Sequence, residues 1–283
     1  MADHIPTVRQ RRLAQALREL RHEAGLTQDA VAARMGWHSS KLFRLENARS
    51  PRVDWLDVRE LMDLYGVTSP HREALIQLAR DARMMGWWTP YRDVFTGSYV
   101  ALEDEASAMR LYCPELVPGL LQTEHYARAV IRAVRPGYDD ESVERRVTAR
   151  LVRQKALLDR EKRPELLCVL NEAVLRRQVG DEHVTAAQLA ALADAASRPN
   201  VTLQVLPFGA GAHAGLEGGF VLIEFPDAAD PDVVYVEGIM GDLYLESVEE
   251  IKRYQLAFER IQAIALGSPE TVEFLTALIR ELA

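Results

Sequence analysis

The sequence is poor in cysteine and contains no long apolar run. Its two cysteines, Cys113 and Cys168, sit among apolar residues without the close spacing of metal ligands, so we expect reduced core thiols rather than a disulfide or a metal site. No run approaches the roughly 18 to 20 apolar residues that a membrane-spanning helix requires. The opening stretch MADHIPTVRQRR also lacks the apolar segment of an export signal. We therefore expect a cytoplasmic protein with no membrane segment, metal or cofactor.

The chain also lacks an overall positive charge, which at first argues against nucleic-acid binding. Its 283 residues, enough for two domains, carry a net charge of −8. Residues 9–52, however, hold ten Lys or Arg residues against four acidic ones, a local charge of +6 that leaves −14 for the rest. DNA affinity depends on local cations that face phosphates. This division therefore indicates one basic region that meets nucleic acid and an acidic body that stays off it.

The stretch GLTQDAVAARMGWHSSKLFRLE, residues 25–46, has the pattern of two short helices joined by a tight turn. Thr27 is placed to cap the first helix, and Gly36 supplies the positive φ of the turn. The second helix turns Leu42 and Leu45 inward. Its other face carries the residues that a DNA-reading helix directs into a groove: Ser39, Ser40, Lys41 and Arg44. The pattern predicts a helix-turn-helix.

Further helices are expected on either side of this motif, at residues 8–24, 53–65 and 70–84, which makes residues 1–85 an all-α DNA-binding domain. A basic turn follows the motif. In it, Arg49 and Arg52 are either phosphate contacts or plain surface residues. Phe43 is expected near the surface, where it covers a neighbouring helix or touches a thymine methyl.

Residues 86–104 form a connection rich in aromatic side chains around Gly86, Pro90 and Gly97. A flexible linker is polar and poor in aromatics, so we expect these rings to fix the orientation of the two domains; a ligand-stacking patch is the alternative. The acidic run at residues 103–105 suits the first turn of a following helix, which we expect to extend to about Leu111.

Residues 105–283 are expected to form an α+β domain, with a small sheet packed by helices, so that the whole chain is classed as α/β. Four β-branched runs predict strands: LLCVLN, VTLQVLPF, GFVLIEF and DVVYVEG. Helices are predicted at residues 124–134, 141–158, 185–197, 247–265 and 269–282. The glycine-dense segment 209–219 lacks the context of a dinucleotide site and predicts a mobile hairpin loop. The arginine-rich helix 141–158 suggests a solvated face or an acidic protein partner rather than a second DNA site.

The acidic and histidine residues of this domain do not form a recognisable catalytic set. The five candidates for acid-base chemistry are Glu172, His213, Glu224, Glu237 and Asp242. Nothing in their spacing brings two of them to one pocket, and Glu172 and Glu237 are equally well explained by capping or by pairing with Arg176, Arg177 or Arg253. We therefore do not expect an enzyme.

The motif GLTQ, followed by Ala32, Gly36 and the RLE that ends at Glu46, resembles the Xre or lambda-Cro type of repressor. The resemblance implies that Gln28 contacts the DNA backbone from the start of the first motif helix and that the outer face of the second helix enters the major groove. It also implies a structural ion pair between Arg21 and Glu46. We also count the adjacent cap, Thr27, among the expected DNA-binding residues. Two positions depart from the family.

At the first departure, His38 stands where the family prefers Ser or Thr as the N-cap; we expect it to be a surface residue rather than a sensor. At the second, Ala48 replaces a common glycine, which leaves Asn47 as the expected left-handed residue at the end of the helix.

Four segments of the second domain occur in a familiar order: YCPELVPGLLQTEHYARAVI, NEAVLRRQVG, RPNVTLQVLPFGAGAHAG and VVYVEG. With them, the domain resembles the C-terminal domain of the actinobacterial WhiJ-like, antitoxin-like regulators. This resemblance implies a transcriptional regulator, commonly encoded beside a small partner protein. We expect a homodimer on operator DNA, nucleoid-associated when bound, acting as repressor or activator. Its C-terminal domain is expected to receive a signal from a small partner protein, or alternatively from a metabolite held in a pocket near residues 209–219.

Overall fold

The structure is a computed structural model, and it describes residues 7–50, 53–82, 86–95, 99–227 and 230–282. The chain divides into two compact units. The first comprises Met1–Thr89 and Phe95–Leu102, and the second comprises Pro90–Val94 and Glu103–Ala283.

The first unit is helical. Its helices are α1 Val8–Glu23, α2 Gln28–Met35, α3 Ser39–Glu46, α4 Trp55–Tyr65 and α5 His71–Asp81. Each of α1, α2 and α4 begins at a residue whose side-chain oxygen accepts a backbone N–H, namely Thr7, Thr27 and Asp54. Apolar side chains from all five helices meet in one buried cluster that includes Leu13, Val31, Leu42, Leu61 and Leu75. The helix expected at 70–84 is shorter, and Met84 lies outside the described residues.

The end of α3 differs from the prediction. Ala48, not Asn47, adopts the left-handed conformation, with φ of 51° against −113° for Asn47. The N–H of Arg49 donates to the carbonyl of Arg44 at 2.8 Å, and the N–H of Ala48 donates to that of Leu45 at 3.2 Å. This pair of bonds is the Schellman motif, which requires positive φ at the residue after the cap. The prediction for Asn47 was wrong because the two hydrogen bonds place the left-handed conformation at residue 48, whatever the side chain there.

The segment that joins the units also differs. Helix α6 spans Tyr99–Glu105, so the acidic run 103–105 ends a helix instead of starting one. The chain then enters strand β1, Ala108–Cys113, and no helix reaches Leu111. Ala, Met, Arg and Leu favour helices, but β1 lies inside the sheet with Met109 and Leu111 buried, and that burial overrides propensity. Within the first unit, the Trp87 ring packs edge-on against Trp88 and Phe95.

The second unit contains a six-stranded mixed sheet in the order β3-β2-β1-β4-β5-β6. The strands after β1 are β2 Glu165–Asn171, β3 Val201–Leu206, β4 Phe220–Glu224, β5 Val233–Val236 and β6 Leu243–Leu245. The strands β1, β2 and β3 are parallel, and β4, β5 and β6 are added antiparallel. The expected class, a helical N-terminal region and a small sheet packed by helices, is confirmed. The four predicted strands are present, whereas β1 and β6 were missed.

Helices cover this sheet: α7 Glu124–Val134, α8 Asp140–Leu158, α9 Glu172–Arg176, α10 Glu182–Ala195, α11 Val248–Ile264 and α12 Ser268–Glu281. The five predicted helices are observed within three residues at each end, and the short α9 was not foreseen. Phe258 and Ile261 of α11 pack with Phe220 and Val234 in a buried cluster on the sheet. None of the helices within the described ranges has the length and apolarity needed to cross a bilayer.

The loop 207–219 is not a hairpin, which corrects the prediction. It leads from β3 to β4, and these strands are separated in the sheet by β2 and β1. A Cβ on Gly215 would lie 2.4 Å from Cε1 of Tyr112, and one on Gly219 would lie 2.7 Å from Cδ of Pro114. These glycines therefore let the loop backbone pack directly against the chain at the end of β1.

Candidate nucleic-acid interface

Helices α2 and α3 form the turn that the sequence predicts. The Oγ1 of Thr27 accepts the N–H of Ala30 at 3.2 Å and caps α2. Gly36 ends α2 with φ of 65°. His38 caps α3, because its Nδ1 accepts the N–H of Ser40 at 3.3 Å, so the imidazole replaces the usual Ser or Thr hydroxyl. Both helices thus begin at local hydrogen bonds that the sequence specifies.

A buried ionic network holds α3 against α1 and α2. Glu46 is fully buried, and its carboxylate accepts from Arg21 Nε at 2.7 Å, Arg21 Nη2 at 3.1 Å and Gln28 Nε2 at 2.7 Å. Arg21 also donates to the carbonyl of Leu26 at 2.8 Å, and Arg18 to that of Glu46 at 3.0 Å. The pair implied by the resemblance is therefore present. Because each charge has several partners, the burial of the pair is compensated.

Tyr65, at the end of α4, lies in the electrostatic field of this network, although its buried hydroxyl makes no hydrogen bond within the described residues. Burial of the ring is the main cause that raises the pKa of Tyr65, and the Glu46 carboxylate raises that pKa further. The buried pair of Arg21 and Glu46 joins α1 to α3, with Gln28 of α2 bonded to the same carboxylate, so we interpret its role as structural.

The outer face of α3 is exposed. Its inner residues Leu42 and Leu45 are buried in the core, while Ser39 and Arg44 lie at the surface. The Nη1 of Arg44 donates to Oγ of Ser40, one helical turn earlier, at 3.2 Å. These groups are hydrogen-bond donors of the kind that read base edges and phosphates.

Lys41 is engaged more closely than the sequence suggested. Its Nζ lies 2.8 Å from Oδ1 of Asp57 and 4.0 Å from the centre of the Trp37 ring. Sequence reasoning missed Asp57 because it belongs to α4, and its spacing from Lys41 has no regular period. The pair is partly exposed, with side chains 36% and 20% accessible, and pairs near the surface contribute about 0–1 kcal/mol, so exchange of the carboxylate for a DNA phosphate has a small cost.

The turn after α3 carries Arg49, whose guanidinium lies 5.6 Å from the centre of the exposed Phe43 ring. Phe43 thus makes a cation–π contact with Arg49 close to the outer face of α3. Arg52, the last member of the predicted set, lies outside the described residues.

The arginines of α8 are arranged differently, and the expected solvated face is wrong for two of them. Arg153 donates to both oxygens of the fully buried Glu103 at 2.6 Å. Arg150 donates to Oε1 of Gln122 at 2.5 Å, and burial, followed by the nearby Arg153, lowers its pKa to about 10. Both guanidinium groups therefore bind side chains within the second unit.

Arg145, on the outside of α8, also has a partner within its unit. Its Nε and Nη2 donate to the carboxylate of Asp93 at 2.5 and 2.7 Å, and Nη2 donates to the carbonyl of Pro90. These hydrogen bonds lower the pKa of Asp93 to about 2. Two cations of the basic cluster, Arg145 and Arg153, are therefore paired with carboxylates that are distant from them in the sequence.

The acid-base candidates are dispersed. Glu172 accepts Arg176 Nε at 2.6 Å and the N–H of Phe208 at 2.8 Å, a connecting role between α9 and the loop after β3. The Nδ1 of His213 accepts the N–H of Gly215 at 3.1 Å.

The other three candidates do not join them. Glu224 pairs with Arg110 at 2.6 Å, and Glu237 and Asp242 are exposed near the end of β5. Of the pairings considered for Glu172 and Glu237, the one between Glu172 and Arg176 is present, and Arg253 lies 3.7 Å from Glu217 instead.

Both cysteines are free, and burial raises the pKa of Cys113 to about 12. The pKa of Cys168 is raised by the same cause. Neither thiol ionises near neutral pH. Across the described parts of the chain, no three His, Cys, Asp or Glu side chains are grouped so as to hold a metal ion.

Two family models match the chain. The model described as "Helix-turn-helix domain" matches residues 12–75, and the model described as "Domain of unknown function (DUF5753)" matches residues 96–277. No curated protein and no solved structure matches the chain significantly. Because the second model covers more than half of the residues, the chain belongs to the DUF5753 family, and its N-terminal helix-turn-helix supports a DNA-binding regulator.

Proposed function

We propose that this chain is a sequence-specific transcriptional regulator of the Xre type that inserts α3 into the major groove of an operator. The observation that carries the proposal is the combination of a buried Glu46 network with an exposed outer face on α3. The network fixes the angle of α3, so Ser39, Ser40 and Arg44 are presented without first paying an ordering cost.

Gln28 has a shared role in this proposal. One hydrogen of its side-chain amide is directed to Glu46, 2.7 Å away. An amide nitrogen carries two hydrogens, so the second remains for a DNA phosphate. Gln28 then couples phosphate contact to the internal network, and Thr27 positions it by capping α2.

The proposed active form is a homodimer. A single helix-turn-helix domain of this size buries only about 600–1,000 Å² on DNA, whereas two domains in a dimer read two half-sites and raise affinity. The dimer belongs to the proposal because the resemblance and the size of the motif support it.

We propose further that the C-terminal domain receives its signal from a small partner protein, as in the WhiJ-like, antitoxin-like group. In support, the loop 207–219 occupies the space at the end of β1, where Gly215 packs on Tyr112. That end of a parallel sheet is where open α/β domains hold small ligands. The alternative, a metabolite sensor, requires this loop to leave its packed position.

The DNA-binding proposal is tested with operator fragments selected by the wild-type chain from a random library. The double variant Lys41→Ala, Arg44→Ala is expected to bind at least tenfold more weakly and to lose about one to two units of salt dependence, with an unchanged melting temperature. A matched control removes two exposed cations of the second unit, Lys155→Ala with Lys162→Ala, and is expected to bind normally.

Equal operator affinity of the two double variants would show that α3 does not read DNA. The two accounts of the C-terminal domain are separated by stability measurements on the purified chain. A small protein that forms a stoichiometric complex supports the first account, and a rise in melting temperature with a metabolite alone supports the second.

A further inference from the structure

The outer face of α3 carries a large apolar side chain, Phe43, which is 43% exposed. It follows Ser39 by four residues and Ser40 by three, so it shares the face that the proposed function directs into the major groove. In the described part of the first unit, the rings of Trp37 and Trp55 pack against the buried cluster, whereas Phe43 is not among the residues of that cluster. Much of the Phe43 ring is therefore available for a contact outside the domain.

The chain on either side of Phe43 is held in place. Leu42, the preceding residue, is fully buried. The carbonyl of Phe43 accepts the backbone N–H of Asn47 at 3.1 Å and the side-chain Nδ2 of the same residue at 2.8 Å. The guanidinium of Arg49 lies 5.6 Å from the centre of the ring, within the range of a cation–π contact. The ring thus projects from a fixed helix and has beside it a cation of the kind that binds DNA phosphates.

The ring of Phe43 has no hydrogen-bond donor or acceptor, which limits what it can contact in a groove. In the major groove, all four bases present hydrogen-bonding groups, and thymine alone adds an apolar one, its C5-methyl group. Contact with a polar base edge would displace water without replacing its hydrogen bonds. Contact with the methyl group instead removes apolar surface of both partners from water. The chemistry of the ring therefore favours thymine.

We propose that Phe43 is a specificity-determining residue of α3 and contacts the C5-methyl group of a thymine in each operator half-site. Arg44 and the two serines of the same face supply hydrogen bonds, and Phe43 supplies the apolar contact. The cations of Arg44 and Arg49 beside the ring favour a polyanion over an apolar protein surface as its partner. The inference rests on the proposed function, because it requires α3 to lie in the major groove.

The test uses the full chain and the operator that the wild-type chain selects from a random library. Each thymine of a half-site is replaced in turn by deoxyuridine, which removes the methyl group and keeps the base pair. At one position, we expect this replacement to weaken wild-type binding about fourfold, the effect of losing one buried methyl group. The same replacement should change the binding of Phe43→Ala by less than about 1.5-fold, because the methyl group has then already lost its partner.

Leu56→Ala is the matched control, because Leu56 is 39% exposed and belongs to the same unit but lies at the start of α4. This variant is expected to keep the full methyl discrimination of the wild-type chain. Phe43→Leu, which retains an apolar side chain, should keep part of it. The melting temperatures of all three variants should stay close to that of the wild type, since neither position is buried in the core.

A wild-type chain that binds its selected operator equally well without any of the thymine methyl groups would overturn this inference and leave the DNA-binding function in place. A selected operator without thymine in its half-sites would do the same. Methyl discrimination that persists in Phe43→Ala, or that is lost equally in Leu56→Ala, would also overturn it. If the wild-type chain selects no operator, the proposed function itself fails, and this inference fails with it.

Discussion

Two helices of this protein are basic in sequence, α3 in the first unit and α8 in the second, and the structure uses their cations in different ways. On α3, Arg44 is exposed and bonded to a neutral hydroxyl. On α8, Arg153 pairs with a buried carboxylate, and Arg145 pairs with Asp93. The DNA-binding potential of a basic helix therefore depends on the partner that the fold gives to each cation, such as the Ser40 hydroxyl for Arg44 and the buried Glu103 for Arg153.

The two units also share a feature, because each buries an Arg–Glu pair whose carboxylate is fully inaccessible. The pairs are Arg21 with Glu46 and Arg153 with Glu103. Each joins elements that are distant in sequence. These two arginines neutralise buried carboxylates, whereas an exposed cation such as Arg44 can bind a ligand.

The largest expected effect comes from breaking the buried pairs. Glu46→Ala should lower the free energy of unfolding of the first unit by about 3–5 kcal/mol, because it leaves Arg21 buried without its counter-charge. Glu103→Ala should do the same in the second unit. Hydrogen exchange of each unit, read by mass spectrometry, checks both.

The control for this experiment is Arg72→Ala, which removes a partly exposed pair with Asp63 and is expected to cost no more than about 1 kcal/mol. If Glu46→Ala costs as little as Arg72→Ala, the buried network does not hold α3 in place.

The next largest effect distinguishes a glycine that is packed tightly against its neighbours from one that has open space around it. Gly215→Ala should destabilise the second unit by about 1–3 kcal/mol, because the added methyl group overlaps Tyr112 and Ile261. Gly209→Ala is the matched control in the same loop, since a Cβ there meets nothing within 4 Å. Thermal denaturation measures both. Equal stability of the two variants would show that the loop does not pack against Tyr112.

A smaller effect separates the cations of the two basic helices. Arg44→Ala should weaken operator binding about tenfold, which corresponds to about 1.4 kcal/mol, and Arg145→Ala should leave it unchanged. In the same Arg145 variant, the pKa of Asp93 should rise from about 2 towards its usual value, which a carboxyl NMR titration can follow. Loss of operator affinity on Arg145→Ala would place α8 on DNA as well.

The smallest effect concerns the end of α3. Ala48→Gly should stabilise the first unit by about 0.5 kcal/mol, because relief of the left-handed strain slightly exceeds the entropy cost of glycine. Ala82, similarly buried with φ of −64°, is the control, and Ala82→Gly should destabilise. Chemical denaturation resolves the two, and a loss of stability at both positions would contradict the prediction.

The local features of the candidate interface were predictable because they depend on neighbours in the chain. Thr27, Gly36, Leu42 and Leu45 act within one helical turn, where spacing alone decides capping and burial. The four β-branched runs were identified as strands for the same reason. In contrast, β1 was mistaken for a helix, since Met109 and Leu111 become strand residues only through pairing with β2 and β4.

The sequence by itself determined the helix-turn-helix, its outward-facing residues and the division into a basic and an acidic part. These follow from periodicity, capping chemistry and the count of charges, which are properties of short stretches. Only the tertiary structure decided which cations have acidic partners and in which order the strands lie in the sheet. Those outcomes depend on contacts between residues far apart in the chain, such as Lys41 with Asp57 and Arg153 with Glu103, and no local pattern encodes them.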